Sequence, residues 1–464
     1  MTYSPRSFKA LSFHDARAAF LDGRDTPRAY LERCLETIAA RDSVVQAWVV
    51  RNEEGARAAA DAATERYRRG QTLSPLDGMP IGIKDLFETR DMPTQMGSPL
   101  YAGNHPKRDS ALVQALRQSG AIVLGKLVTT ELGMSTAGPT TNPFDPKRTP
   151  GGSSSGTGAA IGARMVPAAI GSHAWGSGLR PASFCANYTL KPTFGAINRG
   201  ERQGSSLSHI SVHAGSLEDM WRVAIEIANR AGGDAGYPGL YGPVEPPATV
   251  RPSRLILMQT AGWSDVDAAT HAALDGLLEQ LRGQGVKIVD RTDDPLIEAF
   301  ENAVVDSSFI VRDLLSYESR MAWENLYAQN PDKLSPSLIG RLEVGRQLTP
   351  RDYRNVLAQR DNARRLHAAL APLADAIVTL SSVGPAPLMG TTGGSDGKIT
   401  HTTGDPVFNA PSSILGAPAI SIPLMGVGGM PVGLQLMGQP HADARLAGIA
   451  RWMGENLVPV EVEG

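Results

Sequence analysis

Leu31, Cys34, Leu35 and Ile38 recur at intervals of three and four residues behind a Thr26-Pro27 pair, the pattern of an amphipathic helix entered through an N-cap and a proline. Helical patterning of this kind covers the first seventy residues. From Met79 the texture changes to alternating strands and helices. The segment 80–87 (PIGIKDLF) predicts a strand running into a loop, 109–120 (DSALVQALRQSG) a helix closed by Gly120, and 121–125 (AIVLG) the next strand. Further on, 157–165 (TGAAIGARM) suggests a helix and 166–176 (VPAAIGSHAWG) a strand ending in a turn. Glycine and proline crowd 231–252, which predicts a surface excursion. Beyond it lie a strand at 255–258 (LILM), a helix opened by Ser264, a strand at 286–289 (VKIV), and mainly helical sequence to about Leu370, with a fresh start at Thr349-Pro350.

Two apolar runs remain, 375–380 and 413–437. The second contains SILGAPAISIPLM and MPVGLQLMG, which predict short buried strands and turns. It lies in the longest uncharged stretch, from Pro406 to Pro440, but Pro411, Pro418, Pro423 and Pro431 break that stretch too often for a membrane helix. Neither run can fold alone, so both are expected to return to the first sheet. The prediction is one α/β domain over 1–464 with a mixed central sheet flanked by helices. It divides into N-terminal helices (1–75), a core (76–230), a mainly helical insertion (231–370) and returning strands (371–464).

Composition removes several classes of function. A chain of 464 residues that is 42% hydrophobic and 20% charged can build a large core without disulfide or metal staples. Its 45 basic and 47 acidic residues are interspersed and sum to a net charge of -2, so no basic stripe invites nucleic acid and no polybasic patch invites a membrane. Two cysteines, Cys34 and Cys185, make neither a disulfide framework nor a zinc site and are expected in the core. The N-terminus lacks the apolar stretch of a secretory signal, which favours a reducing cytoplasm. No internal repeat of the solenoid or propeller kind is present.

The segment 139–160 (PTTNPFDPKRTPGGSSSGTGAA) is too rich in breakers to be ordinary packing structure. Three features bear on chemistry: Lys84 at the end of an apolar strand, the serine run 153–155 among glycines, and Ser177 after a strand. A lysine flanked by Ile81, Ile83 and Leu86 loses solvation, which lowers its pKa and makes it a base; alternatively its ammonium reaches solvent or pairs with Asp85. The serine run is a linker, a helix N-cap, or part of a site. Gly152-Ser153-Ser154-Ser155-Gly156 also matches the G-x-S-x-G elbow with Ser154 as nucleophile, but that motif needs a preceding strand and NPFDPKRTP is not one. Gly120 to Lys126 has P-loop spacing, yet Leu127 follows the lysine and Ala-Ile-Val-Leu fills the gap, which describes a strand. Ser177 is a turn serine or a nucleophile beside backbone donors. The nine histidines are scattered and no H-E-x-x-H occurs, so no metal or cofactor is expected.

Taken together, GMPIGIKD, GKLVTTEL, NPFDPKRTPGGSSSGTGAA and GSHAWGSGLRPASFCANYTLKPTFG, followed by GDPVFNAPSSILGAPAISIP, resemble the amidase-signature family across nearly the whole chain. The resemblance implies hydrolysis of an amide, aryl amide, carbamate or ester through a Ser-cisSer-Lys triad. Ser177 would be the acylating nucleophile, Ser153 the bridging serine after a cis peptide bond to Gly152, and Lys84 the base. The backbone of Ala174, Trp175, Gly176 and Ser177 would form the oxyanion hole, with Ser154 and Arg180 in support. The family usually carries Asp or Gln, then Thr and two glycines before the nucleophile; here stand His173, Ala174, Trp175 and Gly176. Trp175 then either strains the backbone or reshapes the loop, and with Met134 and Met389 it hints at an apolar or aromatic acyl group. The 125–140 strand-loop, the insertion and the loop 389–405 are expected to shape that pocket. The partner is a small-molecule amide or carbamate, met by a monomer or homodimer. Two other readings stay open: the A-type component of an amidotransferase that works on mischarged transfer RNA with partner subunits, and a catalytically dead binding protein.

Overall fold

The computed structural model describes residues 2–134, 136–200, 205–259, 261–390 and 402–464. Among them twelve strands join one mixed sheet. They are β1 (Trp48–Arg51), β2 (Pro80–Lys84), β3 (Ile122–Leu127), β4 (Ala168–His173), β5 (Tyr188–Lys191), β6 (His209–Ala214), β7 (Arg254–Leu257), β8 (Lys287–Val289), β9 (Ala376–Leu380), β10 (Ala419–Val427), β11 (Met430–Met437) and β12 (Val460–Val462). Their order is β1-β3-β2-β4-β6-β5-β10-β11-β9-β7-β8, with β12 beside β10. Helices cover the sheet, giving the α/β architecture expected from the alternating pattern. The late apolar runs do return: β10 pairs antiparallel with β5, and β11 with β9. No helix among the described residues is long and apolar enough to cross a membrane.

Strand periodicity decides which side chains meet the site. Ile81, Ile83, Ala168 and Ile170 enter one buried cluster, while Ala169 enters another with Ala159, Ala160 and Ile161 of the helix Ser155–Gly162. Alternation therefore turns Lys84 away from the isoleucine face and toward that helix. β2 runs parallel to β4 with Ile83 beside Ile170, which brings Lys84 next to Gly171. A Cβ at Gly171 would meet Ser154 Oγ at 2.9 Å and His213 Nε2 at 3.0 Å, so the missing side chain is what lets the serine approach.

Local signals held where they were strong. Thr26 caps its helix by accepting from Ala29 N–H, and Thr349 makes a capping box with Asp352. Cys34 and Cys185 are both buried. Four expectations need correction. The first seventy residues are not all helical, because Trp48–Arg51 forms the sheet's edge strand against β3. Ser264 does not open the following helix; it sits in a 3₁₀ turn, and Asp267 caps Ala268–Gly283 by accepting from Thr270 N–H. Residues 410–415 are a short helix ended by Gly416 at φ 64°, so only the later part of SILGAPAISIPLM is strand. The strands expected at 255–258 and 286–289 form as β7 and β8, but they join the central sheet through β9, so 231–370 is not wholly an insertion; its helices are Ala268–Gly283 and those within 295–369.

Candidate active site

Lys84 ends β2 with 0% exposure, and its Nζ lies 2.7 Å from Ser153 Oγ, 2.9 Å from Ser154 Oγ and 2.8 Å from Ser172 Oγ. Asp85, one of the sequence alternatives for its partner, turns the other way and pairs with buried Lys126 at 2.9 Å. Burial therefore acts on the Lys84 amine without a compensating carboxylate among the described residues, and pushes its pKa well below the usual lysine value. Ser154 and Ser155 open the helix Ser155–Gly162, whose N-terminal dipole disfavours the ammonium as well.

A neutral amine offers two N–H donors and one lone pair, so one of the three hydroxyls must donate to it. Ser154 O–H is already directed to the Ser172 carbonyl at 3.1 Å. The donor is then Ser153 or Ser172. The Gly152-Ser153 peptide bond is cis. Ser154, the alternative elbow nucleophile, is fully buried and follows no strand, so the elbow geometry is absent.

Ser177 stands in the turn between β4 and the helix Leu179–Phe184 and borders a narrow cavity of ≈ 40 Å³. Its carbonyl accepts from Ser154 N–H at 3.4 Å, which joins the serine run to the turn. Arg180, buried to 3% exposure, bolts the same two loops together: Nη2 donates to the Gly152 carbonyl at 2.8 Å, Nη1 to the Trp175 carbonyl at 3.4 Å and Nε to the Thr403 carbonyl at 2.9 Å. Burial lowers its pKa to about 10, which leaves it a cation at neutral pH.

Positive φ in this turn falls on Gly176, at 82°, and not on Trp175. The unusual tryptophan thus imposes no left-handed strain. A Cβ on Gly176 would meet Arg180 Nη1 at 2.5 Å and Asn409 Oδ1 at 2.6 Å. Gly176→Ala is accordingly expected to lower stability by ~2 kcal/mol and to reduce turnover, as read by the urea midpoint and an activity assay on one preparation.

Trp175 and Met134 both border the cavity. Trp175 belongs to the buried cluster that also holds Leu179, Leu314 and Leu315, and the Arg341 guanidinium lies 5.5 Å from its ring centre. Arg341, from the helix Pro336–Gln347 of the insertion, also borders the cavity and adds a cation beside the apolar Trp175 and Met134. Gly133, Met134, Leu315 and Thr403 bring in the three expected segments. Met389 is 41% exposed and stands outside the cavity lining. Residues 391–401 of the expected pocket loop lie outside the described residues.

The sequence profile of the family described as Amidase matches residues 29–447. The chain belongs to the amidase family. The A subunit of the glutamyl-tRNA(Gln) amidotransferase of Chloroflexus aggregans (strain MD-66 / DSM 9485) is 30% identical over 464 residues, 94% of each chain. AtzE, the 1-carboxybiuret hydrolase subunit of Pseudomonas sp. (strain ADP), is 43% identical over 204 residues, 42% of this chain and 44% of that one. A crystal structure of an amidase superposes with a TM-score of 0.80 at 27% identity, covering 96% of this chain and 100% of that one. This amidase-family chain is therefore an enzyme of amide C–N bond hydrolysis.

Three of its site residues carry no mark in the sequence that assigns them there. Ser172 completes the hydroxyl set around Lys84, but inside β4 it looks like any strand residue. His173 stands out only as a departure from the family pattern. Arg341 sits in the insertion, where no local pattern marks a side chain as facing the site.

Proposed function

We propose that this chain hydrolyses a small amide, aryl amide or carbamate, and activated esters more readily, through an acyl-enzyme on Ser177. The observation that carries this reading is the buried Lys84 amine, held by three hydroxyls and by no carboxylate among the described residues. Neutral Lys84 takes a proton from Ser153 while Ser153 takes one from Ser177, and Ser177 Oγ adds to the carbonyl. Backbone N–H groups of the turn from Ala174 to Ser177 stabilise the oxyanion, and the relay returns its proton to the leaving nitrogen. Water then attacks the acyl-enzyme through the same relay. Gly152, Ser154 and Arg180 keep the two loops in register. The narrow cavity, with the Trp175 indole and Arg341 guanidinium in its wall, suits a short acyl group.

A second reading, the A-type component of an amidotransferase dependent on partner subunits, draws support from the full-length similarity to that protein. Incubating the pure chain with a chromogenic anilide and an aryl ester separates the two. A burst of leaving group, continued turnover and an acyl adduct on the peptide containing Ser177 are expected. Turnover that arises only with partner chains supports the amidotransferase reading. Absence of any adduct or turnover under either condition leaves a binding protein and ends the hydrolase reading.

A further inference from the structure

The residue before the turn, His173, stands where the family usually carries Asp or Gln and takes no part in the proposed proton relay. It closes β4 with 1% exposure. Gly178 N–H donates to its Nδ1 at 3.2 Å, Gly176 N–H points at its Nε2 from 3.4 Å, and Ser413 Oγ lies 2.9 Å from the same Nε2. The two glycines bracket Ser177. A neutral imidazole has one ring N–H and one in-plane lone pair, so it accepts from only one of these backbone donors. An imidazolium would set a ring N–H against each of them. Burial, together with the neighbouring Lys191, His209 and Arg180, also drives the pKa of His173 well below the ordinary histidine value.

Two observations select the tautomer. Gly178 is the closer backbone donor, and Ser413 O–H reaches the Asn409 carbonyl at 3.1 Å, leaving Ser413 Oγ to accept. The ring proton then sits on Nε2 and is donated to Ser413, while Nδ1 receives Gly178 N–H. Gly176 N–H is left without an acceptor on this ring. A Cβ at Gly178 would stand 3.4 Å from His173 Nδ1 and 2.9 Å from Ser211 Oγ, so the close approach of the two residues suits glycine.

We propose that His173 is the positioning residue of the nucleophile turn: by anchoring Gly178 N–H and Ser413 it fixes the backbone on both sides of Ser177, and so the direction from which Ser177 Oγ adds to the carbonyl. This rests on the acyl-enzyme reading above. The helix Ala410–Leu415, which carries Ser413, thereby supports the turn from a segment far along the chain.

The test compares wild type with His173→Leu, which removes both ring contacts, and His173→Asn, whose Oδ1 stands near the place of Nδ1. Each is assayed for kcat and KM on an anilide, for inhibition by a trifluoromethyl ketone that forms a tetrahedral adduct, and for thermal unfolding. His173→Leu is expected to lower kcat on the order of 10²-fold and to weaken ketone binding by a similar factor, with KM moved by less than about threefold. His173→Asn restores about tenfold or more of that loss. Where the leucine variant fails to fold, Ser413→Ala replaces it: removing the acceptor of the ring proton loosens the anchor of the turn and lowers kcat and ketone affinity together. Unchanged kcat in these variants, or a loss of kcat that ketone affinity does not follow, overturns the positioning role. A wild-type chain that forms no acyl-enzyme overturns the Ser177 reading instead.

Discussion

Ser177→Ala is expected to lower kcat on an anilide by at least about 10⁴-fold and to eliminate the acyl adduct. The loss is large because no other hydroxyl can take over. Ser153 and Ser154 are occupied by the Lys84 amine, and Ser154 is fully buried. Ser153→Ala should fall nearly as far, since it cuts the path between nucleophile and base. The double variant should be scarcely worse than either single one, as for groups that act as a unit. Single-turnover kinetics with intact-mass detection gives the answer. An adduct that persists in Ser177→Ala would move the nucleophile elsewhere.

Lys84→Ala is expected to cost about 10³-fold or more on the anilide and clearly less on an aryl ester, because an amine leaving group needs the returned proton and a phenoxide does not. The pH dependence follows from the depressed pKa. The neutral amine persists below the ordinary lysine range, so the rate stays level on the alkaline side and falls on acidification as Lys84 gains a proton. The variant should lack that acid limb. Equal anilide rates for wild type and Lys84→Ala would remove the base from its role.

Much of this was legible in the residues because the signals are local. Thr26-Pro27 and Thr349-Pro350 define helix starts within four positions, and Ile81 and Ile83 announce a strand buried on both faces. Pairing across the chain left no such trace. β1 is four residues between two helices, and only its distant partner β3 makes it a strand. The helix Ala410–Leu415 was hidden by Ile414 and Leu415, which read equally well as strand, and is entered through Asn409 and Pro411. The proposed relay residues were named through the family resemblance, whereas Ser172, His173 and Arg341 are defined by what they touch. Trp175 was the clearest conflict with the family pattern, and it dissolves because the turn places its demand for positive φ one residue later.

The amine at the end of β2 rests among hydroxyls, where burial works against its charge. On the proposed relay, charge is born there only while the carbonyl is tetrahedral, when ammonium and alkoxide come into being together. Dissolved salt therefore has little grip on the chemical step, for there is no standing field to screen. Solvent leaking into the cavity would hydrate the ammonium and keep the proton there, making dryness the quality this centre must defend.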